Sequence, residues 1–332
     1  MVTFNGVKYL PFCLNSLAKQ TFQDFFLLIV DNCSQDRTVG YLKENFPQIK
    51  LVEHQQNIGF AKAHNQGISW TDSQYVMLLN QDVILEEDYL EKALDYLDNH
   101  ADIAVLGGKT KVWDFYNNFK TNFIDSIGLK VYKNHRVVDI GQGEPDQSQY
   151  DQIQEVFGIS GSLPIYRRTA LEQVKIQFKS ALQHQEYFDE DFFSYKEDVD
   201  LSFRLRLAGL KSVYFPDAVA YHDRSVKRAR QLNDKATRQS RKAKDAVVKA
   251  YSYKNHLLLL LKNEFFINFL KYFPFILLYE LKKLVFILLF ERTSLNGIGL
   301  FLQQKSKILK KRGYIIKHIR KIGADDLAQW YR

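Results

Sequence analysis

Three apolar runs of the chain end in side chains that can bind a ligand. FFLLIVDN closes on Asp31-Asn32, IKLVEH on Glu53-His54, and YVMLLNQD on Asn80-Gln81-Asp82. Taken singly, each is an ordinary turn or helix cap, a task for which Asp and Asn are common choices. Three such groups at corresponding strand ends point to a ligand crevice, because open parallel sheets bind outside the carboxyl ends of their strands. The third group sets one acid beside two amides. A lone carboxylate holds Mg²⁺ or Mn²⁺ when phosphate oxygens of a substrate and water fill the other positions. Asp82 is therefore a candidate metal ligand, and Asn80 and Gln81 are candidate partners for sugar or ribose hydroxyls. A second cluster, Glu197-Asp198 with Asp200, lies inside FFSYKEDVDLSFRLR. A helix dipole explains part of it, and Arg204 and Arg206 are spaced to pair with some of the acids. Repulsion among neighbouring acids nonetheless raises a pKa, which suits a general base. His222 ends a later strand-like run, where a neutral imidazole can complete the coordination of an ion held by Asp82.

Other chemistries find no motif. There is no GxxxxGK[ST] and no GxGxxG after the first strand, which disfavours a Walker ATPase and a Rossmann dehydrogenase. The two cysteines, Cys13 and Cys33, have no CxxC spacing, so neither a disulfide framework nor a zinc site is supported and a reducing cytosol fits. The start of the sequence shows no charged stretch followed by an apolar one, so no secretory signal is expected.

These residues need elements to position them. Short apolar runs alternate with helical patterns over the first third: helices at about 9–19, 38–45, 59–69 and 87–99 separate strands at 25–32, 49–54, 75–82 and 103–109. That alternation predicts βαβ units and a mostly parallel sheet with helices on both faces. Residues 110–190 are less regular and richer in Gly, Gln and Asp; VFGISGSLPIYRR brings small residues before a short strand. VDLSFRLRLAG reads as a helix stopped by Gly209, and SVYFP as a strand.

Composition changes after His222. Between Arg224 and Lys254 stand eleven Lys and Arg against two acids, followed by HLLLLLKNEFFINFLKYFPFILLYELKKLVFILLF. No uncharged run there approaches 18 residues, and burying Glu280, Lys282 and Lys283 at mid-bilayer would cost about 2.5–3.5 kcal/mol each. A helix lying in a membrane interface, with the basic stretch on anionic lipid, fits better than a spanning one. Glu264, Asn268 and Lys271 fall on one helical face, and Pro274 is expected to kink or end that helix. The most basic part, 227–244, lacks interleaved aromatics, so nucleic acid is not the expected partner. The net charge of +8 is thereby assigned to lipid and phosphorylated substrate.

In order, VTFNG, VDNCSQDRT, NIGFAKAHNQGI, LLNQD and FFSYKEDVDLSFRLRLAG with YFPDAVAYH resemble the GT-A domain of inverting family 2 glycosyltransferases, in their bacterial rhamnosyltransferase-like variety. The resemblance covers residues 1–222 and leaves 223–332 as a helical C-terminal region. It implies a nucleotide-diphosphate sugar donor, dTDP-rhamnose or a UDP-sugar being the candidates, and a glycan or lipid-linked acceptor at the inner face of the cell membrane. It places Thr3, Phe4 and Asn5 in the nucleotide pocket and Asp31 on the pyrimidine N–H. Asn57 and Gly59 then shape the nucleotide side, with Asn65 further along the same helix. It also makes Asn80-Gln81-Asp82 the DxD-like motif holding Mg²⁺ or Mn²⁺, and Asp198 the base, with Glu197 beside it. The first DxD acid is Asn80 here, so metal affinity rests on Asp82, the diphosphate and His222. His64 stands where Arg is frequent, Met1 replaces the family's longer apolar lead into VTFN, and no QxxRW follows. The last point favours a one-sugar transferase over a processive synthase. A sugar nucleotidyltransferase and a non-catalytic relative are the alternatives.

Overall fold

The computed structural model describes residues 1–177, 185–223 and 246–332. Strands β1 (Val2–Thr3), β2 (Leu28–Asp31) and β3 (Lys50–Glu53) run parallel in that order, with helices α1 (Leu10–Ala18) and α2 (Thr38–Asn45) as crossovers. All four residues of β2 are buried, as a strand covered on both faces requires, while β3 is the edge and exposes Lys50 and Glu53. Helix α3 (Phe60–Ser69) returns the chain to β4 (Tyr75–Met77), and a parallel bridge from Val2 to Asn80 joins the two parts of the sheet. The strand within FFLLIVDN begins only at Leu28, because pairing to β3 starts there, and Phe26 is left exposed.

Beyond β4 come β5 (Val83–Leu85), α4 (Tyr89–Asn99), β6 (Ile103–Asp114), β7 (Phe119–Ser126), β8 (Ile165–Arg167), α5 (Arg168–Val174), α6 (Glu197–Leu207) and β9 (Lys211–His222). β9 and β6 pair in parallel, whereas β8 lies antiparallel between β6 and β4. A parallel neighbour needs a crossover, usually a helix. None occurs between Asp114 and Ile165, so β8 enters the sheet in the other direction. The result is a mixed α/β sheet with a parallel part.

The C-terminal helices are α7 (Ala246–Asn263), α8 (Phe266–Phe290), α9 (Asn296–Tyr314) and, after a π-helical turn at Ile315–Ile319, α10 (Ala324–Ala328). One apolar cluster contains Phe157 and Phe203 together with Leu258, Ile308 and Tyr331, so these helices complete the core beside α6. Tyr331 also bridges to Val131. Most of the basic stretch 224–254 lies outside the described residues.

The polar face expected on the apolar helix points inward. Glu264 precedes α8 and is buried against Tyr331, whose hydroxyl donates to it at 2.5 Å, and Asn268 donates to the carbonyl of Ala324 at 2.8 Å. Lys271 alone of the three is exposed. Outward instead go Ile267, Leu270, Leu278, Leu281, Val285 and Leu289, each more than half exposed. The reversal follows from partners: buried polar groups are retained where they can be hydrogen-bonded. Pro274 does not end the helix, which runs continuously through it. Pro274 and Leu270 both lie on the exposed side, where the carbonyl deprived of an N–H is not sealed in the core.

Candidate active site

The carboxyl ends of β1, β2 and β4 meet at one edge of the sheet, and the residues there are held mainly by one another. Asp31, nearly inaccessible at the end of β2, accepts from the Ser34 hydroxyl at 2.5 Å and the Ser34 N–H at 2.9 Å. This turn leaves further lone pairs on both carboxylate oxygens. Asn32 and Asn57 pair amide to amide: Asn32 Nδ2 donates to Asn57 Oδ1 at 3.0 Å, and Asn32 Oδ1 accepts from the Ile58 N–H. Asn57 Oδ1 also accepts from Gly59 N–H, fixing the start of α3. Gly59 sits at φ +84° and ψ 162°, backbone that is essentially glycine's alone. A Cβ there would come within 2.5 Å of the Phe193 ring. Gly59→Ala is therefore expected to cost about 1–3 kcal/mol from backbone strain alone, with the clash added, and urea denaturation measures it.

Gln81 is committed within the protein. Its Oε1 accepts from Thr3 Oγ1 at 2.5 Å and Phe4 N–H at 3.0 Å, and its Nε2 donates to the Phe4 carbonyl at 3.1 Å. It clips the end of β1 to the end of β4, an anchoring task that the expectation of a sugar contact did not foresee. Phe4 remains 44% exposed beside it. Asn5, at φ +50°, accepts from Gln35 N–H at 2.7 Å, so VTFN and the turn after β2 form one wall. Asn65 faces away from that wall. Its amide exchanges hydrogen bonds with both backbone groups of Phe188 at 2.7 Å, so it latches α3 to the segment leading toward Glu197. Both ends of its amide are engaged within the protein, so it serves as a latch rather than as the expected nucleotide contact. His64 is also buried. Burial, and secondarily the charge of the N-terminus, lower its pKa well below the ordinary value, so it presents no charge to a phosphate.

Asp82 and His222 are brought together by strand register. β5 pairs with β9 so that Val83 faces His222, which places the preceding Asp82 beside the imidazole. His222 Nε2 lies 3.3 Å from Asp82 Oδ1, and its Nδ1 lies 3.0 Å from Asp125 Oδ2 on β7. Burial works against charge on the ring, but Asp82 and Asp125 outweigh it and push its pKa to about 10. Asp125 was not foreseen from sequence; nothing in FKTNFIDS marks one acid as the partner of a residue nearly a hundred positions later. Among the described residues no three His, Cys, Asp or Glu side chains converge as a ready-made metal cage. The two carboxylates thus favour an imidazolium rather than the neutral imidazole expected from sequence; Asp82 and Nε2 face each other with Asp125 behind the ring, a donor set that suits a hard divalent ion keeping water and phosphate ligands once Nε2 gives up its proton.

The two acids of the second cluster separate. Glu197 is buried, and its Oε2 has no hydrogen-bond partner among the described residues. Burial first, then the neighbouring Asp198 charge, raise its pKa well above that of an ordinary glutamate, which favours its neutral form. Asp198 accepts from Gly161 N–H at 2.9 Å and from Val199 N–H at 2.8 Å. Burial raises its pKa too, opposed by those two hydrogen bonds. The segment before β8 ties this acid to the opening motif: Ser162 carbonyl accepts from Asn80 N–H at 3.0 Å while adjacent Gly161 holds Asp198. Small residues in GISGS permit that approach, since a Cβ on Gly161 would lie 3.2 Å from that of Asp198. Asp200 is structural, as pairing with Arg204 at 3.0 Å shows; Arg206 turns instead to Glu155 and the carbonyl of Phe157. A cleft of about 630 Å³ runs from Met1, Leu27 and Tyr75 at the opposite strand ends to Val30 and Leu79, each one position before Asp31 and Asn80.

Residues 1–175 match the model of glycosyl transferase family 2. A putative glycosyltransferase, EpsH of Bacillus subtilis (strain 168), is 26% identical over 206 residues, which cover 59% of this chain and 54% of that protein. An N-acetylglucosaminyl-diphospho-decaprenol L-rhamnosyltransferase of Mycobacterium tuberculosis is 26% identical over 242 residues, 68% of this chain and 75% of the other. The chain spans about half or less of the length of the first relatives it matches, as little as 35% of an uncharacterized glycosyltransferase of Haemophilus influenzae. Among solved structures, S. aureus TarS 1-349 in complex with UDP-GlcNAc aligns with TM-score 0.50 and 18% identity, covering 99% of this chain and 82% of that one. GalNAc-T7 with UDP, GalNAc and Mn²⁺ aligns with TM-score 0.54 and 11% identity, covering 78% and 46%. These structural likenesses are likenesses of GT-A fold.

Proposed function

The chain belongs to glycosyl transferase family 2, and from that premise we propose that it moves one sugar, with inversion, from a nucleoside-diphosphate sugar to a hydroxyl of a glycan or lipid-linked acceptor. The observation that carries this reading is the connection from Asn80 through Ser162 and Gly161 to Asp198, which holds the strand-end motif and the base on one short segment. Asp198 takes the proton from the acceptor hydroxyl as that oxygen attacks the anomeric carbon; the bond to the diphosphate breaks on the opposite side. Asp31 receives the base N–H on a remaining lone pair, and Asn57, Gly59, Thr3, Phe4 and Asn5 form the wall around the nucleotide. Asp82 and His222 would hold Mg²⁺ or Mn²⁺, which when bound offsets the charge of the departing diphosphate. Glu197, neutral and buried, supports Asp198 rather than replacing it.

A donor panel with Mn²⁺ or Mg²⁺, read by mass spectrometry, tests the reading. Release of nucleoside diphosphate is expected; pyrophosphate would indicate a nucleotidyltransferase, and binding without any turnover across a broad acceptor panel a non-catalytic relative. The mycobacterial relative's name supports dTDP-rhamnose as the first donor to try, and the TarS complex a UDP-sugar.

We further propose that the protein works at the cytoplasmic membrane surface. No helix of the described residues is long and apolar enough to cross a membrane. The outward row on α8 is instead a long apolar stripe with Lys271 and Lys282 exposed beside it, the composition of a helix that lies in an interface. Liposome flotation should recover the protein with anionic vesicles more than with neutral ones. Leu278→Glu with Leu281→Glu should cut recovery at least roughly tenfold, because a buried Leu contributes about 1.5–3 kcal/mol. Equal failure of the parent protein on both vesicle types would sink the idea.

A further inference from the structure

The short segment between Asp191 and Glu197 is strained, and side chains from the C-terminal helices hold it. Phe193, Tyr195 and Lys196 all have positive φ, at 64°, 73° and 70°. Non-glycine residues with such backbone cost of order 1–3 kcal/mol each and persist only where surroundings impose them. The surroundings here account for five successive carbonyls. Lys254 Nζ donates to that of Asp191 at 2.5 Å. The Nδ2 group of Asn255 faces those of Phe192, Ser194 and Tyr195 at 3.0, 2.9 and 2.6 Å. The remaining one, on Phe193, accepts from Ala61 N–H of α3 at 3.1 Å. Asn255 is fully buried, and its Oδ1 has no hydrogen-bond partner among the described residues. Of the two ends of the amide only N–H₂ suits a site surrounded by three carbonyl oxygens, so the side chain's orientation is set by the segment it holds.

We propose that Asn255, assisted by Lys254, is a positioning residue for the transfer reaction: it fixes the strained turn at the N-terminus of α6 and so sets where Asp198 stands relative to the acceptor hydroxyl. The same turn meets the nucleotide side through Phe193, which caps Gly59, and through Ser194 Oγ, which accepts from Phe60 N–H at 3.3 Å. α7 thus acts on the junction of donor wall and base without touching either substrate. The proposal rests on the glycosyltransferase reading above, but its first test does not need turnover.

Hydrogen exchange on the full-length protein compares the parent with Asn255→Leu, which keeps volume and removes the donors. Exchange of amides in 191–199 should quicken by about ten- to a hundredfold, as expected when buried hydrogen bonds worth roughly 1–3 kcal/mol are lost, while β2 and β6 stay protected. In turnover assays with the donor that the parent uses, kcat should fall at least tenfold, KM for donor should change less than threefold, and the acid limb of the pH–rate profile should move. UDP binding by calorimetry should persist. Unchanged exchange in 191–199 would overturn the clamp, as would parent-like kcat and pH profile. Protection lost equally across β2 and β6 would overturn it too, since Asn255 would then be a general stability residue; Lys254→Met, which loosens only the first carbonyl, provides a milder second variant to be judged by the same outcomes. If the parent releases no nucleoside diphosphate with any donor, the enzymatic reading fails while the exchange result still decides the clamp.

Discussion

Asp198→Asn lowers transfer by about 10²–10⁴-fold, the usual contribution of a general base, and leaves nucleotide binding in place. The substitution is nearly isosteric. Its amide can still accept one of the two backbone hydrogen bonds, from Gly161 or Val199, so folding loses about one hydrogen bond, roughly 1 kcal/mol. The nucleotide wall at Asp31, Asn57 and Gly59 makes no hydrogen bond to Asp198, and UDP titration should find it intact. The pH dependence has a definite sign. The base must be ionised, and burial raises its pKa above that of an ordinary aspartate; kcat/KM of the parent therefore falls as pH drops through that raised value and levels above it. In Asp198→Asn the acid limb assigned to this group should vanish from the residual rate. A residual rate within a few-fold of the parent, with the acid limb unchanged, would assign the base elsewhere. Glu197→Gln provides the contrast. Since Glu197 is already held neutral by burial and by Asp198, replacing its carboxyl by an amide should cost far less activity.

What sequence shows of this site is its local part. Strand-end groups were legible because apolar runs that stop at Asp31 and Asn80-Gln81-Asp82 carry their own punctuation, and the parallel-sheet rule says where such ends face. The acid proposed as base was legible as part of a cluster ahead of a helix. Assignment of tasks within those groups was not, because it depends on partners far along the chain. Gln81 looks like a ligand contact until Thr3 and Phe4 are seen bonded to it, 78 and 77 positions away. Asn65 looks like nucleotide wall until Phe188 occupies its amide. Asp125 and Asn255 had no local signal at all: one is an acid in a short antiparallel strand, the other a polar residue among leucines. The C-terminal helices show the same limit. Their leucine-rich composition suggested a face for lipid, and α8 does expose apolar surface, yet not all the charges scattered through them are solvent handles. Several reach back into the catalytic part of the fold.

Lys311→Met should be the most destabilising of the substitutions considered, by about 3–5 kcal/mol, the cost of removing one partner from a buried ionic group. Lys311 lies on α9 with its side chain wholly buried, and its Nζ is 2.6 Å from Glu186, 2.5 Å from Asp189 and 2.7 Å from Asp191. Lys262 from α7 meets the same Asp189 at 2.6 Å and Asp200 at 2.8 Å. After substitution Asp189 keeps Lys262 and Asp191 keeps Lys307, while Glu186 loses its 2.6 Å contact with the Lys311 ammonium. Burial already raises the Glu186 pKa despite Lys311, with Asp189 adding to the rise. Without Lys311, one of the influences that lower it, that pKa would rise further, and a folded-state pKa above the unfolded one stabilises at low pH and loses that contribution as pH rises. Asp189 has the opposite sign in the parent: although burial opposes its charge, Lys262 and Lys311 hold its pKa far below the ordinary value. Its contribution is present above the unfolded aspartate pKa and is lost only as pH falls below that value, so the Glu186 carboxyl governs the range from neutrality down to pH 4–5. The difference in stability between parent and Lys311→Met should therefore be largest near neutrality and shrink toward pH 4–5, as urea melts at both pH values would show. Lys310→Met, one position away and exposed, should stay within about 0.5 kcal/mol. Equal effects of the two would mean that the buried network is energetically idle. A large effect confined to Lys311 would mean that α7 and α9, the helices on either side of the exposed apolar stripe of α8, also hold together the segment that carries Asp198.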